Sequence, residues 1–395
     1  MNKVLVMDFG SQVAHLIARR FRELGVYSEL IPYDASIQEI KKAEALVLSG
    51  GPKSVYESNA PKPDKKIFEL GIPVLGICYG HQLIAQVLGG EVRRGKGEYG
   101  ETIIKPVNKQ GLLKRLDDPV VWMSHSDYVK RVPPDFVITS TSSSGYVSSM
   151  ENLGRKIFGV QFHPEVSHTK DGLKVLNEFL ELNNVEKDWS LESFVEEKVE
   201  EIKRTVEDKK VLMAVSGGVD SSVAALLINK AIGNNLHCVF VNNGLLRKNE
   251  PESVREYFEK TGLNFHYVNA VDLFLSRLKG VTDPEEKRRV IGKTFVEVFE
   301  KKARELGSFE FLGQGTIYPD RVESAKTSKH ASVIKSHHNV GGLPEKMNLK
   351  LLEPLKDLYK DEVRRVGRMI GLPEEVLKRH PFPGPGLAIR IVGEV

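Results

Sequence analysis

An α/β protein of two domains in series is what the sequence predicts, and three observations predict it. Short apolar runs alternate with amphipathic stretches through residues 1–188, from VLVMDFG at 4–10 to KIFGVQFHPE at 156–165. The texture then changes: NNVEKDW at 183–189 leads into the highly charged SLESFVEEKVEEIKRTVEDKK. Beyond it the alternation restarts at KVLMAVSGG, 210–218. Buried strands alternating with helices imply parallel sheets. A length of 395 residues is also what two domains of about 100–200 residues each would need. We place the boundary at Trp189, giving domains 1–188 and 189–395.

Taken in order, VLVMDFG, VYSELIPYD, EALVLSGG and IPVLGIC read as strands, with a helix through HLIARRFRELG closing at Gly25. VVWMSHSD, FVITSTSS and KIFGVQFHPE read as further strands, partly antiparallel because their connections are short. Ser193 and Glu196 stand at capping-box spacing near the start of the charged helix. In the second domain a helix runs from Asp220 to about Ile232, followed by strands LHCVFVNNG and NFHYVNA.

Composition narrows the function classes. Lys and Arg total 57 against 53 Asp and Glu, a net +4, too near neutrality to argue for nucleic acid or membrane as partner. The two cysteines, Cys78 and Cys238, are far apart, so a secreted disulfide scaffold is excluded and each thiol is read singly. The uncharged stretch Leu70–Gly90 is broken by Pro73, five glycines, His81, Gln82 and Gln86, and reads as strand, loop and helix rather than a span. The expectation is a cytoplasmic protein.

Two constellations carry chemistry. In the first, PVLGICYGHQ sets Cys78 between a strand and a helix with glycines at 76 and 80. This is the cysteine form of a nucleophile elbow, where a helix N-terminus favours thiolate and offers amides to an oxyanion. In GVQFHPEV, an extended strand would project His163 and Glu165 to one face, forming a Cys–His–Glu triad with Cys78. In LSGGPKSVYE, the Gly51 amide can complete an oxyanion hole.

On these motifs residues 1–185 resemble the class I glutamine amidotransferases, mixed-sheet domains that hydrolyse glutamine through a γ-glutamyl thioester. The resemblance implies Cys78 as nucleophile, His163 as base and Glu165 as its orienter. It implies Gly51 and Tyr79 as the oxyanion-hole amides, and Gln82, Ser124, His125, Ser126 and Asp127 around the substrate glutamine. For His125 a satisfied strand histidine is the preferred reading over catalysis.

In the second constellation SGGVDSS (216–222) lies between a strand and a helix. Its backbone amides, with the hydroxyls of Ser216, Ser221 and Ser222, make an anion cradle over Gly217, Gly218 and Val219. No Gly-Lys-Ser/Thr closes the loop, so this is not a Walker A motif. Asp220 is the candidate ligand for Mg²⁺ with ATP. The motif is similar to that of the ATP pyrophosphatase (PP-loop) family, which has a Rossmann-like, adenine nucleotide α-hydrolase-like fold with a mainly parallel sheet. The resemblance implies cleavage of ATP between its α- and β-phosphates.

Six further segments extend the resemblance: DFGSQ, NNGLLRKNE, DPEEKRRVIGKTFVEVFE, GQGTIYPDRVES, IKSHHNVGGLPEKM and RHPFPGPGLAIRI. Together they resemble the glutamine-hydrolysing GMP synthases along the whole chain. That resemblance implies xanthosine 5′-monophosphate (XMP) as acceptor, adenylylated by MgATP and then aminated. Candidates toward XMP or a nucleotide lid are Arg288, Arg289, Lys293, Asp320, Glu323 and Lys335, the last in a segment, Ala325–Pro344, that also carries Lys326 and Lys329 and no acidic residue. His337 and His338 are adjacent and read as no metal pair. Asn242 stands where the family is associated with an acidic residue, so it is left out of the metal set and kept for a ribose or adenine edge. Family members are homodimers that continue into a C-terminal dimerisation domain, which is expected to be absent from this chain. Two other readings keep the same residues: a PP-loop amidotransferase with another acceptor, or a glutamine- and ATP-binding fragment without turnover.

Overall fold

The computed structural model describes residues 3–107, 109–321, 349–379 and 384–395. The chain divides into two compact units, Met1–Ser190 and Leu191–Val395.

In the first unit, β1 (Lys3–Asp8), α1 (Ala14–Glu23), β2 (Tyr27–Pro32), α2 (Ile37–Ile40) and β3 (Ala45–Leu48) lead to β4 (Val74–Ile77) and α3 (Tyr79–Val87). A long hairpin comes next, β5 (Glu91–Pro106) and β6 (Val120–Arg131), then β7 (Val137–Ser142), β8 (Val147–Asn152), β9 (Ile157–Val160) and α4 (Gly172–Leu182). They form one nine-stranded sheet in the order β2-β1-β3-β4-β9-β8-β7-β5-β6. The first five neighbours pair in parallel and the rest antiparallel, so the sheet is mixed.

Side chains alternate across the strands and divide the core in two. Val4, Val6, Val47, Leu75 and Ile77 pack with Phe21 and Phe179 on one face. Leu5, Met7, Leu46, Leu48 and Val74 pack with Leu83 and Ile84 of α3 on the other. Burial on both faces is why these strands read as continuous apolar runs.

Two local expectations are corrected. β9 ends at Val160, so His163 and Glu165 lie in the turns after it, not on a strand. The charged helix begins at Leu191, which puts Ser193 inside its first turn rather than at its cap.

In the second unit, α5 (Leu191–Val206), β10 (Val211–Ala214), α6 (Val219–Ile232), β11 (Leu236–Asn242), α7 (Glu250–Lys260) and β12 (Asn264–Asn269) come first. After them come α8 (Val271–Leu278), α9 (Pro284–Leu306), β13 (Phe311–Gly313), β14 (Lys350–Leu352), α10 (Lys360–Met369) and α11 (Glu374–Leu377). The sheet is parallel throughout, in the order β12-β11-β10-β13-β14. The chain winds outward from β10 to β12 and then resumes on its other side at β13. In such sheets ligands bind at that switch, beyond the carboxyl ends of the two central strands. Among the described residues no helix is long and apolar enough to cross a membrane.

Candidate active sites

In the first unit three neighbouring parallel strands, β3, β4 and β9, end side by side. Just beyond its end each strand delivers a piece of one site: Gly50 and Gly51 after β3, Cys78 after β4, His163 after β9. A Cβ placed on Gly50 would touch both the His163 Cε1, at 3.3 Å, and the Cys78 Cβ, at 3.7 Å. Residues over a hundred positions apart are thus gathered at one sheet edge.

Cys78 takes a left-handed backbone, φ 53° and ψ −102°, between strand and helix. A non-glycine residue there is strained, and such strain gathers where surrounding structure enforces it. Here the enforcement is visible. The Cys78 amide donates to the Val160 carbonyl at 2.8 Å, and the Gly80 amide to the Ser49 carbonyl at 3.1 Å. A methyl group on Gly80 would sit 2.3 Å from the Leu48 carbonyl oxygen, so only glycine lets α3 approach β3 this closely.

The base is held equally firmly. His163 Nδ1 lies 2.7 Å from Glu165 Oε1, and Glu165 is fully buried. The His163 amide donates to the Trp122 carbonyl, while Thr169 Oγ1 donates to the His163 carbonyl and accepts from the Trp122 amide. Arg20 Nε donates to the Glu165 carbonyl at 2.9 Å. Burial disfavours a charged imidazole, but the Glu165 carboxylate and the hydrogen-bonded Cys78 sulfur outweigh it and push the His163 pKa up to about 11.

Among the described residues neither the Gly51 nor the Tyr79 amide donates to a protein acceptor, and Tyr79 opens α3. The remaining candidates lie along β6. Ser124 is exposed and Ser126 half-buried, and the Cys78 Sγ lies 3.6 Å from the Ser124 carbonyl oxygen. Gln82, His125 and Asp127 are buried behind them. Gln82 Nε2 donates to the Asp127 carbonyl and to Gln161 Oε1, His125 uses both ring nitrogens internally, and Tyr56 donates to Asp127 Oδ1. The preferred reading of His125 as a satisfied strand histidine matches these contacts.

In the second unit the 215–218 loop leaves β10 and turns into α6 at the sheet's switch point. Ser216 and Ser221 knit it: the Ser216 amide donates to Ser221 Oγ, Ser221 Oγ to the Gly218 carbonyl, and the Gly218 amide to Ser216 Oγ. Ser222 is fully buried with an enclosed hydroxyl, so its expected donation to a ligand is corrected. Gly315, after β13, presses on the same turn: a Cβ there would lie 2.9 Å from the Ser221 nitrogen.

Asp220 is met by Lys360, whose Nζ donates to both carboxylate oxygens at 2.6 Å, and Arg379 donates to the Gly217 carbonyl at 3.0 Å. Sequence reasoning missed both cations, because nothing local marks contacts that span 140 and 162 positions. No cluster of three or more His, Cys, Asp or Glu occurs among the described residues. Mg²⁺ does not require one, since one or two carboxylates with substrate phosphates suffice. Asp220 fits that donor set once Lys360 yields it.

Other candidates change meaning. Arg288, Arg289 and Lys293 belong to α9, which buries Lys287, Ile291, Thr294, Phe299 and Ala303, so these cations lie on the polar side of a packed helix. Arg288 pairs with Glu285 and Arg289 with Glu286 on its outer face, and Lys293 is exposed. Asp320 Oδ2 accepts from the Ile317 amide at 3.0 Å, a capping contact. The Asn242 amide, expected to be available to a ribose or adenine edge, donates to the Tyr267 hydroxyl and accepts from the Gly244 amide instead. Cys238 is fully buried on β11, and burial pushes its pKa up to about 12. Glu323, Lys326, Lys329, Lys335, His337 and His338 lie outside the described residues.

Comparison with known proteins decides the family. A model of glutamine amidotransferase class-I matches residues 5–182, and one of NAD synthase matches residues 189–292. Across the whole chain, a GMP synthase (glutamine-hydrolysing) of Aquifex aeolicus is 53% identical over 400 residues, covering 99% of this chain and 78% of that one. The chain belongs to the glutamine-hydrolysing GMP synthase family. The Clostridium novyi member is 54% identical, covering 99% of this chain and 77% of its own. A solved glutamine amidotransferase from Thermotoga maritima aligns with TM-score 0.38 and 25% identity, covering 47% of this chain and 86% of that one.

Proposed function

We propose that this chain aminates XMP to GMP with nitrogen taken from glutamine, consuming ATP to AMP and pyrophosphate. The observation that carries the proposal is the convergence of a strained Cys78 with a buried His163–Glu165 pair, in a chain whose whole-length relatives are GMP synthases.

At the first unit, the Cys78 sulfur attacks the side-chain carbonyl carbon of glutamine. The oxygen that becomes negative is taken by the Gly51 and Tyr79 amides, aided by the positive end of α3. His163, holding the proton that came from the thiol, gives it to the departing nitrogen, and ammonia leaves a γ-glutamyl thioester. Water then attacks the thioester with His163 as base, releasing glutamate and restoring the thiol. Glu165 keeps Nδ1 protonated so that Nε2 faces the sulfur. Ser124, exposed, and Ser126, half-buried, are the β6 candidates toward the substrate.

At the second unit, amides of Gly217, Gly218 and Val219 at the α6 N-terminus receive the phosphates of ATP. Ser216 and Ser221 keep the loop in shape for them. Asp220 would hold Mg²⁺, which when bound neutralises phosphate charge. The C2 oxygen of XMP displaces pyrophosphate from the α-phosphorus, and ammonia then displaces AMP from C2. Lys360, released from Asp220, is positioned for phosphate oxygens.

The NAD synthase match over 189–292 favours one competing acceptor, a nicotinate dinucleotide. AMP release with MgATP and free ammonia separates the two. Release that requires XMP supports the proposal; release that requires nicotinic acid adenine dinucleotide overturns it.

A further inference from the structure

Behind Cys78, β6 acts as a common rail. Its Trp122 carbonyl holds the His163 backbone, its Ser124 carbonyl faces the Cys78 sulfur, and its Asp127 carbonyl accepts from Gln82 of α3. A second donor to the Asp127 carbonyl is His125 Nδ1, at 2.8 Å. The opposite ring nitrogen, Nε2, lies 3.1 Å from Glu98 Oε2. Glu98 is the direct cross-strand partner of His125 on β5, at the irregularity in register between Arg94 and Glu98.

The hydrogen bonds fix where the protons must be. A carbonyl oxygen can only accept, so His125 Nδ1 carries a proton. In a neutral ring Nε2 is then bare, and a bare nitrogen facing an ionised carboxylate would repel it. One more proton must therefore sit between Nε2 and Glu98. Glu98 Oε1 is buried and has no partner among the described residues, so Glu98 is held through Oε2 alone. Burial also pushes the His125 pKa down, and the neighbouring His81, buried and lowered to about 3, is uncharged. Whichever partner carries it, one proton joins Nε2 to Glu98 Oε2, and the ring is held between Glu98 and the Asp127 carbonyl.

We propose that Glu98 is a positioning residue for glutamine hydrolysis: it holds His125 so that the Ser124–Asp127 backbone stays registered against Cys78, His163 and α3. The proposal rests on the glutaminase reading of Cys78. Glu98 touches neither substrate nor sulfur; its influence passes through His125 and two backbone carbonyls. Losing the partner of Nε2 frees the ring to turn, withdraws one of two side-chain partners from the Asp127 carbonyl and lets the rail shift. Small displacements of reacting groups lower turnover more than affinity.

The test compares full-length wild type, Glu98→Ala and Glu98→Gln in steady-state glutamine hydrolysis, with kcat and KM separated and urea midpoints measured alongside. A glutamine side chain can still hydrogen-bond Nε2, through its NH2 or its oxygen, so Glu98→Gln should keep kcat within about threefold, while Glu98→Ala should lose about tenfold or more in kcat with little change in KM. Wild-type kcat in Glu98→Ala overturns the proposal, and so does an equal loss in both variants. Should Glu98→Ala fail to fold, ring-nitrogen NMR of His125 in the wild type decides. A proton on Nδ1 supports the proposal, and a bare Nδ1 overturns it. No glutamine hydrolysis by the wild type would instead overturn the glutaminase reading itself.

Discussion

His163 and Glu165 meet at 2.7 Å across a turn beyond the end of β9, and Glu165 is wholly buried where it does so. No strand aligns them. Their geometry comes from Trp122, Thr169 and Arg20, which pin the turn at three backbone groups. Glu165→Gln should keep the fold and lower kcat by on the order of 10³–10⁴-fold, because the amide permits the wrong ring tautomer. The same variant should drop the His163 pKa well below its wild-type level near 11, since burial then acts with less opposition. NMR titration of the ring reads this directly. Between its ordinary value of 6.5 and about 11 the folded wild type binds the extra proton, so this site's contribution to stability falls as pH rises.

The elbow makes a separate demand on volume. Gly80→Ala would thrust a methyl to 2.3 Å from the Leu48 carbonyl oxygen and 2.7 Å from its Cβ. We expect a loss of about 1–3 kcal/mol in urea unfolding and slower alkylation of Cys78. Gly154→Ala is the control: its nearest neighbour would be Asn152 Oδ1 at 3.6 Å, and stability should stay within about 0.5 kcal/mol.

Asp220→Asn should leave Cys78 alkylation unchanged while lowering XMP-dependent AMP release from ammonia by on the order of 10²-fold, the scale of losing one electrostatic group at a reacting centre. Binding of Mn²⁺ in the presence of ATP, monitored by electron paramagnetic resonance, should weaken in parallel. Unchanged Mn²⁺ binding would remove Asp220 from the metal set.

Lys287 is fully buried and donates to three carbonyls, of Ala388, Ile391 and Gly393, with no salt-bridge partner among the described residues. Lys287→Met strands those acceptors. The second unit should lose about 1–3 kcal/mol, and residues 386–393 should become open to limited proteolysis.

The parallel strands and the elbow were legible because a doubly buried strand is a continuous apolar run and because glycines at 76 and 80 bracket Cys78. β5 was not: EVRRGKGEYGETIIKP carries charges and three glycines without a clean alternation, as a strand pairing away from the main core can. The triad pair was named for a geometric reason that the structure replaces, since the extended strand stops three residues short of His163. Glu98, Lys287 and Lys360 left no trace in the sequence. Each acts through a partner remote in the chain, and a charged residue in an amphipathic segment looks the same whether it faces water or a buried carbonyl.

The most direct test of this mechanism tracks one nitrogen atom. Wild type and Cys78→Ala would each be given MgATP, XMP and glutamine labelled with nitrogen-15 at its amide, and in parallel free ammonia, with GMP read by mass spectrometry. We expect labelled GMP from glutamine with the wild type and none with Cys78→Ala, while both proteins make GMP from ammonia. Labelled GMP from Cys78→Ala at the wild-type rate, or no GMP from the wild type with either nitrogen source, would contradict the mechanism.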